Sequence, residues 1–285
     1  MRLPLSWHFA PELDAPRFVW ARRDWPAFAD VPGDFPSVYA RLPERCFIRG
    51  ADSGVRHFLT ERGWNGVQTG VDTVLDLPYS PPPSVRTLIR RGQKKVEIGV
   101  FPAESYNGQL LMRSRYAGVP KIGFLFRTTP EGEWMGARGP GGWLAALWTT
   151  RPAPDAVHVE SLIRACNAPV GTMEALIAFA ADVCYERGFR RLSLGESPFA
   201  YPTGAQGFAR MLRLFPIEAF YSARGLYRFK SKFTGKHEPV YAMARGPLLP
   251  ALYNAAVAAN LTRLAWKKIW PCGAVSASNA GAIAR

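Results

Sequence analysis

Cysteine is scarce and unpaired in this chain: Cys46, Cys166, Cys184 and Cys272 are far apart, and none forms a Cys-x-x-Cys spacing. That excludes a zinc ribbon and a disulfide framework. The four are expected to be buried thiols in a reducing cytoplasm. Histidine is scarce too, and His8, His57 and His158 have no metal-ligand spacing, so no metal is implied. No run of about 18 uncharged apolar residues occurs, so no segment reads as a spanning helix. The apolar stretch in Met1 to Ala10 is broken by Pro4 and His8 and is too short for a signal peptide.

Acids are the other shortage. Against 36 Lys and Arg stand 22 Asp and Glu, a net charge of +14. Such an excess favours polyanionic partners, either nucleic acid or an acidic membrane surface. The 48 % apolar content and nine Trp exclude wholesale disorder. At 285 residues the chain has room for two ordinary domains or one large one.

Residues 1–45 are rich in Pro, Trp and Phe, with a short helix expected around Ser37 to Leu42. Gly50 to Gly63 reads as a capped helix ending at a glycine, followed by a strand at Gly66 to Leu77. After the prolines of 78–83, Ser84 is the expected N-cap of a helix reaching Gly92 or Lys95. On it Arg86, Arg90 and Lys94 recur every four residues, one cationic stripe with no acid among them. The stripe is either a solvated face or a phosphate-tracking surface. Strands are expected at Lys95 to Phe101 and Pro120 to Arg127, with a helix at Glu104 to Arg115 between them.

The second half is clearer. Gly142 to Thr150 and Val157 to Arg164 are strand-like around a turn at Pro152 to Asp155. The loop Ala165 to Gly171 precedes a helix from Thr172 to Arg187, with Leu176, Phe179, Ala180 and Val183 on one face and Gly188 as its stop. Arg190 to Gly195 is a strand, Glu196-Ser-Pro-Phe follows, and Gly207 to Leu214 is helical. Strand, strand, loop, helix, strand, helix, strand is the order of the acetyltransferase-like (GNAT) α/β fold. There a loop and helix start bind a ligand phosphate through free backbone N–H groups. Gly171 and Thr172 occupy that place. The coenzyme A signature of Gln or Arg, two residues, Gly, one residue, Gly or Ala is absent from the loop. Gly195-Glu-Ser-Pro-Phe lacks the second glycine of a nucleophile elbow, so Ser197 reads as structural.

The most informative stretch is Gly225 to Arg245. Arg228, Lys230 and Lys232 alternate with Tyr227, Phe229 and Phe233, so as a strand Gly225 to Phe233 would have a cationic and an aromatic face. Thr234 and Gly235 break the chain, and Val240 to Ala244 is a short buried strand. Lysines beside Glu238 suit a site that stabilises negative charge; an exposed basic edge strand is the plain alternative. This Phe-Lys-x-Lys-Phe…Glu-Pro-x-Tyr run resembles the signature of the phosphatidylglycerol lysyltransferase C-terminal family. Further landmarks are Leu162-Ile-Arg164, Ala168-Pro-Val-Gly171, Arg187-Gly188, and Leu192-Ser-Leu-Gly195 with Pro198 after it; together they cover roughly Gly142 to Tyr253.

The resemblance implies two tandem GNAT-like units, each a mixed twisted sheet flanked by helices. Their expected limits are 1–141 and 142–247, with an amphipathic basic helix and tail at 248–285. It implies transfer of an amino acid from aminoacyl-tRNA to an anionic membrane lipid, with no cofactor or metal. The protein would work in the cytoplasm, in peripheral contact with the membrane's inner face. Lys230, Glu238 and Arg164 are the implied catalytic residues. Lys232, Arg228, Tyr241, Glu196, Glu160 and His237 are expected at the substrate, and Arg86, Arg90, Lys94, Gly171 and Thr172 on tRNA or phosphate. In that family an Asp commonly stands three residues before the arginine of the second strand. Here Ser161 holds the place, preceded by Glu160, so a cationic amino acid loses its natural partner. The rivals are a coenzyme A-dependent N-acyltransferase and a non-catalytic basic module for RNA or membrane. At the C-terminus, Leu248 to Trp270 reads as an amphipathic helix with Arg263, Lys267 and Lys268 near its end. It suits a membrane interface or packing on the domain. The last fifteen residues, Pro271 to Arg285, read as disordered.

Overall fold

A computed structural model describes residues 7–9, 19–21, 39, 47–102, 109–115, 117, 133–153, 155–200 and 223–258. Its strands are β1 (Trp7–Phe9), β2 (Val19–Ala21), β3 (Phe47–Ala51), β4 (Asn65–Asp76), β5 (Glu97–Phe101), β6 (Glu133–Gly139), β7 (Gly142–Ala153), β8 (Ala156–Arg164), β9 (Arg191–Pro198) and β10 (Lys236–Ala244). The helices are α1 (Ser53–Thr60), α2 (Pro83–Gln93), α3 (Gln109–Met112), α4 (Thr172–Glu186), α5 (Ala223–Ser231) and α6 (Leu248–Ala258). The expected strand at 120–127, the helix at 207–214, residues 104–108 and everything beyond 258 lie outside the described residues. Of 37–42 only Tyr39 is described, and it is helical.

β1 and β2 form a separate antiparallel pair, and the other eight strands form one mixed sheet in the order β3-β10-β4-β9-β8-β7-β6-β5. The fold is the expected mixed α/β arrangement, with helices against the sheet. Strands from the two halves of the chain share it, because β10 inserts between β3 and β4. All neighbours are antiparallel except β8 and β9, which α4 connects. A parallel pair requires such a crossover.

The β8–β9 pairing is short. It covers Ala156↔Arg191, Val157↔Leu192 and His158↔Ser193, after which β8 continues to Arg164 and β9 to Pro198 without further mutual pairing. The two strands fork at this point, where their hydrogen-bonded pairing ends.

α4 is buried around most of its circumference, Ala175, Leu176, Ile177, Ala180 and Ala181 included. One face packs on the sheet and another on α2. This explains why the expected single stripe is only partly right: Phe179 and Val183 are half-buried, whereas Ala180 and Ala181 between them are interior. A helix enclosed on two sides has no broad polar face to show in its sequence. Gly92 at the end of α2 makes the close approach possible, since a Cβ there would lie 2.3 Å from the Gly171 carbonyl oxygen. α2 itself starts at Pro83 with Pro82 as N-cap and no side-chain cap, so Ser84 is not the cap. Proline's preset φ starts the helix two residues earlier.

The alternation that starts at Gly225 lies in a helix, α5, which ends at Ser231, and in the turn after it, not in a strand. Leu226, Phe229 and Lys230 are spaced i, i+3 and i+4, and that period wins because Phe229, with Phe233 in the turn just after α5, packs on the core that contains α4. α1 is capped as expected, Asp52 accepting from the Val55 N–H at 2.8 Å. The described part of the C-terminal helix packs on the domain: Leu248, Ala251 and Leu252 lie against Phe47, Ala242 and Ala244. Leu249 and Tyr253 are exposed. Cys184 is buried as expected, whereas Cys166 is exposed. Among the described residues no helix is long and apolar enough to cross a membrane, and no group of side chains could hold a metal ion.

Candidate active site at the strand fork

Lys230 is the side chain that α5 delivers into the fork. It is 3 % exposed. Its Nζ donates to the carbonyls of Gly195 at 2.7 Å and Glu196 at 3.0 Å. Burial pulls its pKa down to about 7, with the nearby Glu196 carboxylate acting in the opposite direction. An ammonium has three N–H donors, so among the described residues one remains after these two bonds. Gly195 allows this geometry through a φ of +82°. A Cβ there would lie 2.7 Å from the Val159 carbonyl oxygen, 3.6 Å from Lys230 Nζ and 3.8 Å from His158 Cε1. The lysine and the histidine therefore border the same glycine.

Glu196 is half-buried and accepts from the Thr69 hydroxyl at 2.9 Å. Glu238 lies on β10 opposite Asp72 of β4, and Asp72 lies opposite Glu196 of β9. Two strand spacings, about 10 Å, thus separate the rows of Glu238 and Glu196. Glu238 also pairs with Arg191 at 3.2 Å, both groups about one-third exposed. Lys232 forms an ion pair with Glu174 and lies 4.2 Å from the Phe229 ring centroid. His237 Nδ1 is 3.3 Å from the Thr73 hydroxyl, its ring 5.2 Å from that of Tyr227, and burial lowers its pKa.

The remaining candidates are spread over β8, β10, α5 and α2. Arg164 is exposed five residues beyond Val159, about 16 Å along β8. Glu160 is half-buried beside a β-bulge in the β7–β8 pairing. Tyr241 packs under Arg56, whose guanidinium donates to its hydroxyl at 3.3 Å, and Arg228 is exposed on α5. Arg86, Arg90 and Lys94 are exposed along α2.

Gly171 and Thr172 form the buried start of α4 beneath α2, and the Thr172 hydroxyl donates to Pro169 at 2.8 Å. The negative charge in the first turn there is the protein's own Glu174. A carboxylate at that position already satisfies the helix dipole.

Three residues outside the expected set join the fork. The Ser193 hydroxyl donates to Asp72 Oδ2 at 2.5 Å and lies 2.8 Å from His158 Nδ1, and the Gly195 N–H donates to the same Oγ at 3.1 Å. Asp72 is wholly buried. Its sequence signal is an acid in the middle of the apolar run Gly70-Val-Asp-Thr-Val-Leu75. His158 is discounted by metal-ligand spacing, but spacing along one strand carries no information about partners on β9.

Comparison with known proteins bears out the resemblance. Residues 145–244 match the family described as Phosphatidylglycerol lysyltransferase, C-terminal. That segment contains Arg164, Glu196, Lys230 and Glu238, whereas the α2 stripe lies before it. The fold is similar to that of L-PGS from Bacillus licheniformis, at 16 % identity and a TM-score of 0.63 over 86 % of this chain and 82 % of that one. The C-terminal domain of a putative lysylphosphatidylglycerol synthetase from Agrobacterium fabrum gives 19 % identity and a TM-score of 0.58, covering 84 % and 81 %. FemX gives 8 % and 0.52, covering 83 % and 81 %. No curated protein matches the chain significantly in sequence. At these identities the structural likeness establishes the fold.

Proposed function

We propose that this chain is an aminoacyltransferase that moves an aminoacyl group from aminoacyl-tRNA to the hydroxyl of an anionic membrane lipid such as phosphatidylglycerol. The observation that carries the reading is the Lys230 ammonium held in the β8–β9 fork, with two N–H groups tied to the Gly195 and Glu196 carbonyls. The match of residues 145–244 to a phosphatidylglycerol lysyltransferase family supports the substrate class.

An aminoacyl ester is already activated, so the chemistry needs alignment and stabilisation of the tetrahedral oxyanion. Alignment alone supplies about 7 kcal/mol or more. The third N–H of Lys230 is the donor for the oxyanion, preorganised by the two carbonyl bonds that hold the buried ammonium. Burial holds the Lys230 pKa down to about 7, and the developing negative charge favours the charged form. In this reading 142–247 is the catalytic unit and 1–141 contributes the α2 stripe to the tRNA backbone. Residues 248–285 follow as the basic C-terminal part, and the protein contacts the membrane peripherally. Ser161 is buried, and its hydroxyl has no partner among the described residues. A neutral donor there is a poor match for a lysyl side chain, which leaves the amino acid to be read from a mixed pool.

The test is transfer from a pool of radiolabelled aminoacyl-tRNAs into a total lipid extract. Ribonuclease-sensitive label in the lipid phase supports the proposal and identifies the amino acid. Absence of label with every tRNA, in an extract containing phosphatidylglycerol, overturns it; tight acetyl-coenzyme A binding would then favour the N-acyltransferase.

A further inference from the structure

Asp72, Ser193 and His158 come from three adjacent strands, β4, β9 and β8, and meet where the β8–β9 pairing ends. With Asp72 as the carboxylate, its Oδ2 can only accept, so the one hydroxyl proton of Ser193 is committed to it at 2.5 Å. Ser193 Oγ then acts only as an acceptor towards its other two neighbours. One is the Gly195 N–H, a fixed donor. The other is His158 Nδ1 at 2.8 Å, which must carry the hydrogen. The ring is thereby held as the Nδ1–H tautomer, with the lone pair on Nε2. Nε2 has no hydrogen-bond partner among the described residues, and the ring is half-buried beside Gly195. Surface histidines do not show this arrangement: His57, for comparison, pairs with Glu61 on the open face of α1. A base oriented through its far nitrogen by a buried acid is the logic of relays that activate hydroxyl nucleophiles.

We propose that Asp72, Ser193 and His158 form a proton relay in which His158 Nε2 is the general base for the acceptor hydroxyl. This rests on the aminoacyl-transfer reading above. The acceptor oxygen forms its bond to the ester carbonyl carbon while its proton passes to His158 Nε2. As the tetrahedral intermediate collapses, the bond from that carbon to the tRNA ribose oxygen breaks, and the same proton goes to the departing ribose oxygen. No oxidant, reductant or further reactant enters. His158 is the catalytic residue, and Ser193 and Asp72 are positioning residues that fix its tautomer and support the imidazolium formed in passing.

Two measurements on the full chain test the relay, one without reference to activity. In protein labelled with 15N-histidine, which has four histidines, His158 is expected as the Nδ1–H tautomer and Ser193→Ala is expected to release it. An Nε2–H tautomer in the unaltered protein, or no change on Ser193→Ala, overturns the relay. The second is steady-state transfer from labelled aminoacyl-tRNA to phosphatidylglycerol vesicles. His158→Gln is expected to lower kcat by about 100- to 10,000-fold with KM within about threefold. Ser193→Ala and Asp72→Asn are expected to lower kcat by roughly tenfold or more in the same KM-neutral way. A loss below about threefold in His158→Gln, or one carried by KM, overturns the general-base role. If unaltered protein transfers nothing while the tautomer is as expected, the aminoacyl-transfer reading fails and the base role with it. If it transfers and His158→Gln does too, the relay alone fails.

Discussion

Lys230 Nζ donates to the Gly195 carbonyl at 2.7 Å, at a residue that β9 holds with φ +82°. The bond ties α5 to the fork and fixes the cation that the proposed chemistry uses. Burying that cation costs stability in a way that pH reports. The folded pKa is about 7 against an ordinary 10.5. Between these values the unfolded chain binds a proton that the folded chain lacks, so stability rises with pH through this window and is flat in this term outside it. The ceiling is about 5 kcal/mol. Lys230→Met should abolish the rise, as read from urea unfolding at pH 6, 8 and 10; identical pH profiles for the two proteins would contradict the burial argument.

Gly195→Ala should destabilise the fold. Its Cβ would lie 2.7 Å from the Val159 carbonyl oxygen, and the positive φ is strained for alanine besides. A loss of at least about 2 kcal/mol is expected from the two effects. Chemical denaturation measures it, and a neutral result would mean that the fork is wider in solution.

Gly92→Ala sets helix propensity against packing. An exposed Gly to Ala change within a helix gains about 1 kcal/mol. Here the new methyl would lie 2.3 Å from the Gly171 carbonyl oxygen, so the sign should reverse. The expected shift is a lower urea midpoint with unchanged m-value.

Much of this fold was legible because its clearest segments carry a single period. β4, β8, β9 and α1 fall within a few residues of expectation, since alternation and an Asp cap leave little choice. The reading failed where two periods coexist. Between Gly225 and Phe233 cations alternate with aromatics, yet Leu226, Phe229 and Lys230 share a helical face, and burial of Lys230 and of Phe233 in the turn that follows decides for the helix. Lys230 and Glu238 were found through their signature, which lies in one stretch of chain. Asp72, Ser193 and His158 were not, because their meeting depends on strand order, which local sequence does not encode.

The α2 stripe yields a salt-dependence prediction. Arg86, Arg90 and Lys94 are exposed, and Gln at all three positions should leave stability within about 0.5 kcal/mol. If the stripe tracks tRNA phosphates, the slope of log affinity against log salt should fall by about 2 to 3. An unchanged slope would make the stripe a solvated face.

The central claim is that Lys230 in the fork stabilises aminoacyl transfer to lipid. Its most direct measurement is chromatographic recovery of labelled aminoacyl-phosphatidylglycerol from purified protein, vesicles and charged tRNA, comparing the unaltered chain with Lys230→Met. The account predicts product from the unaltered protein and a loss of about 100-fold or more in the variant, with tRNA and vesicle binding retained. Equal product from both would contradict it.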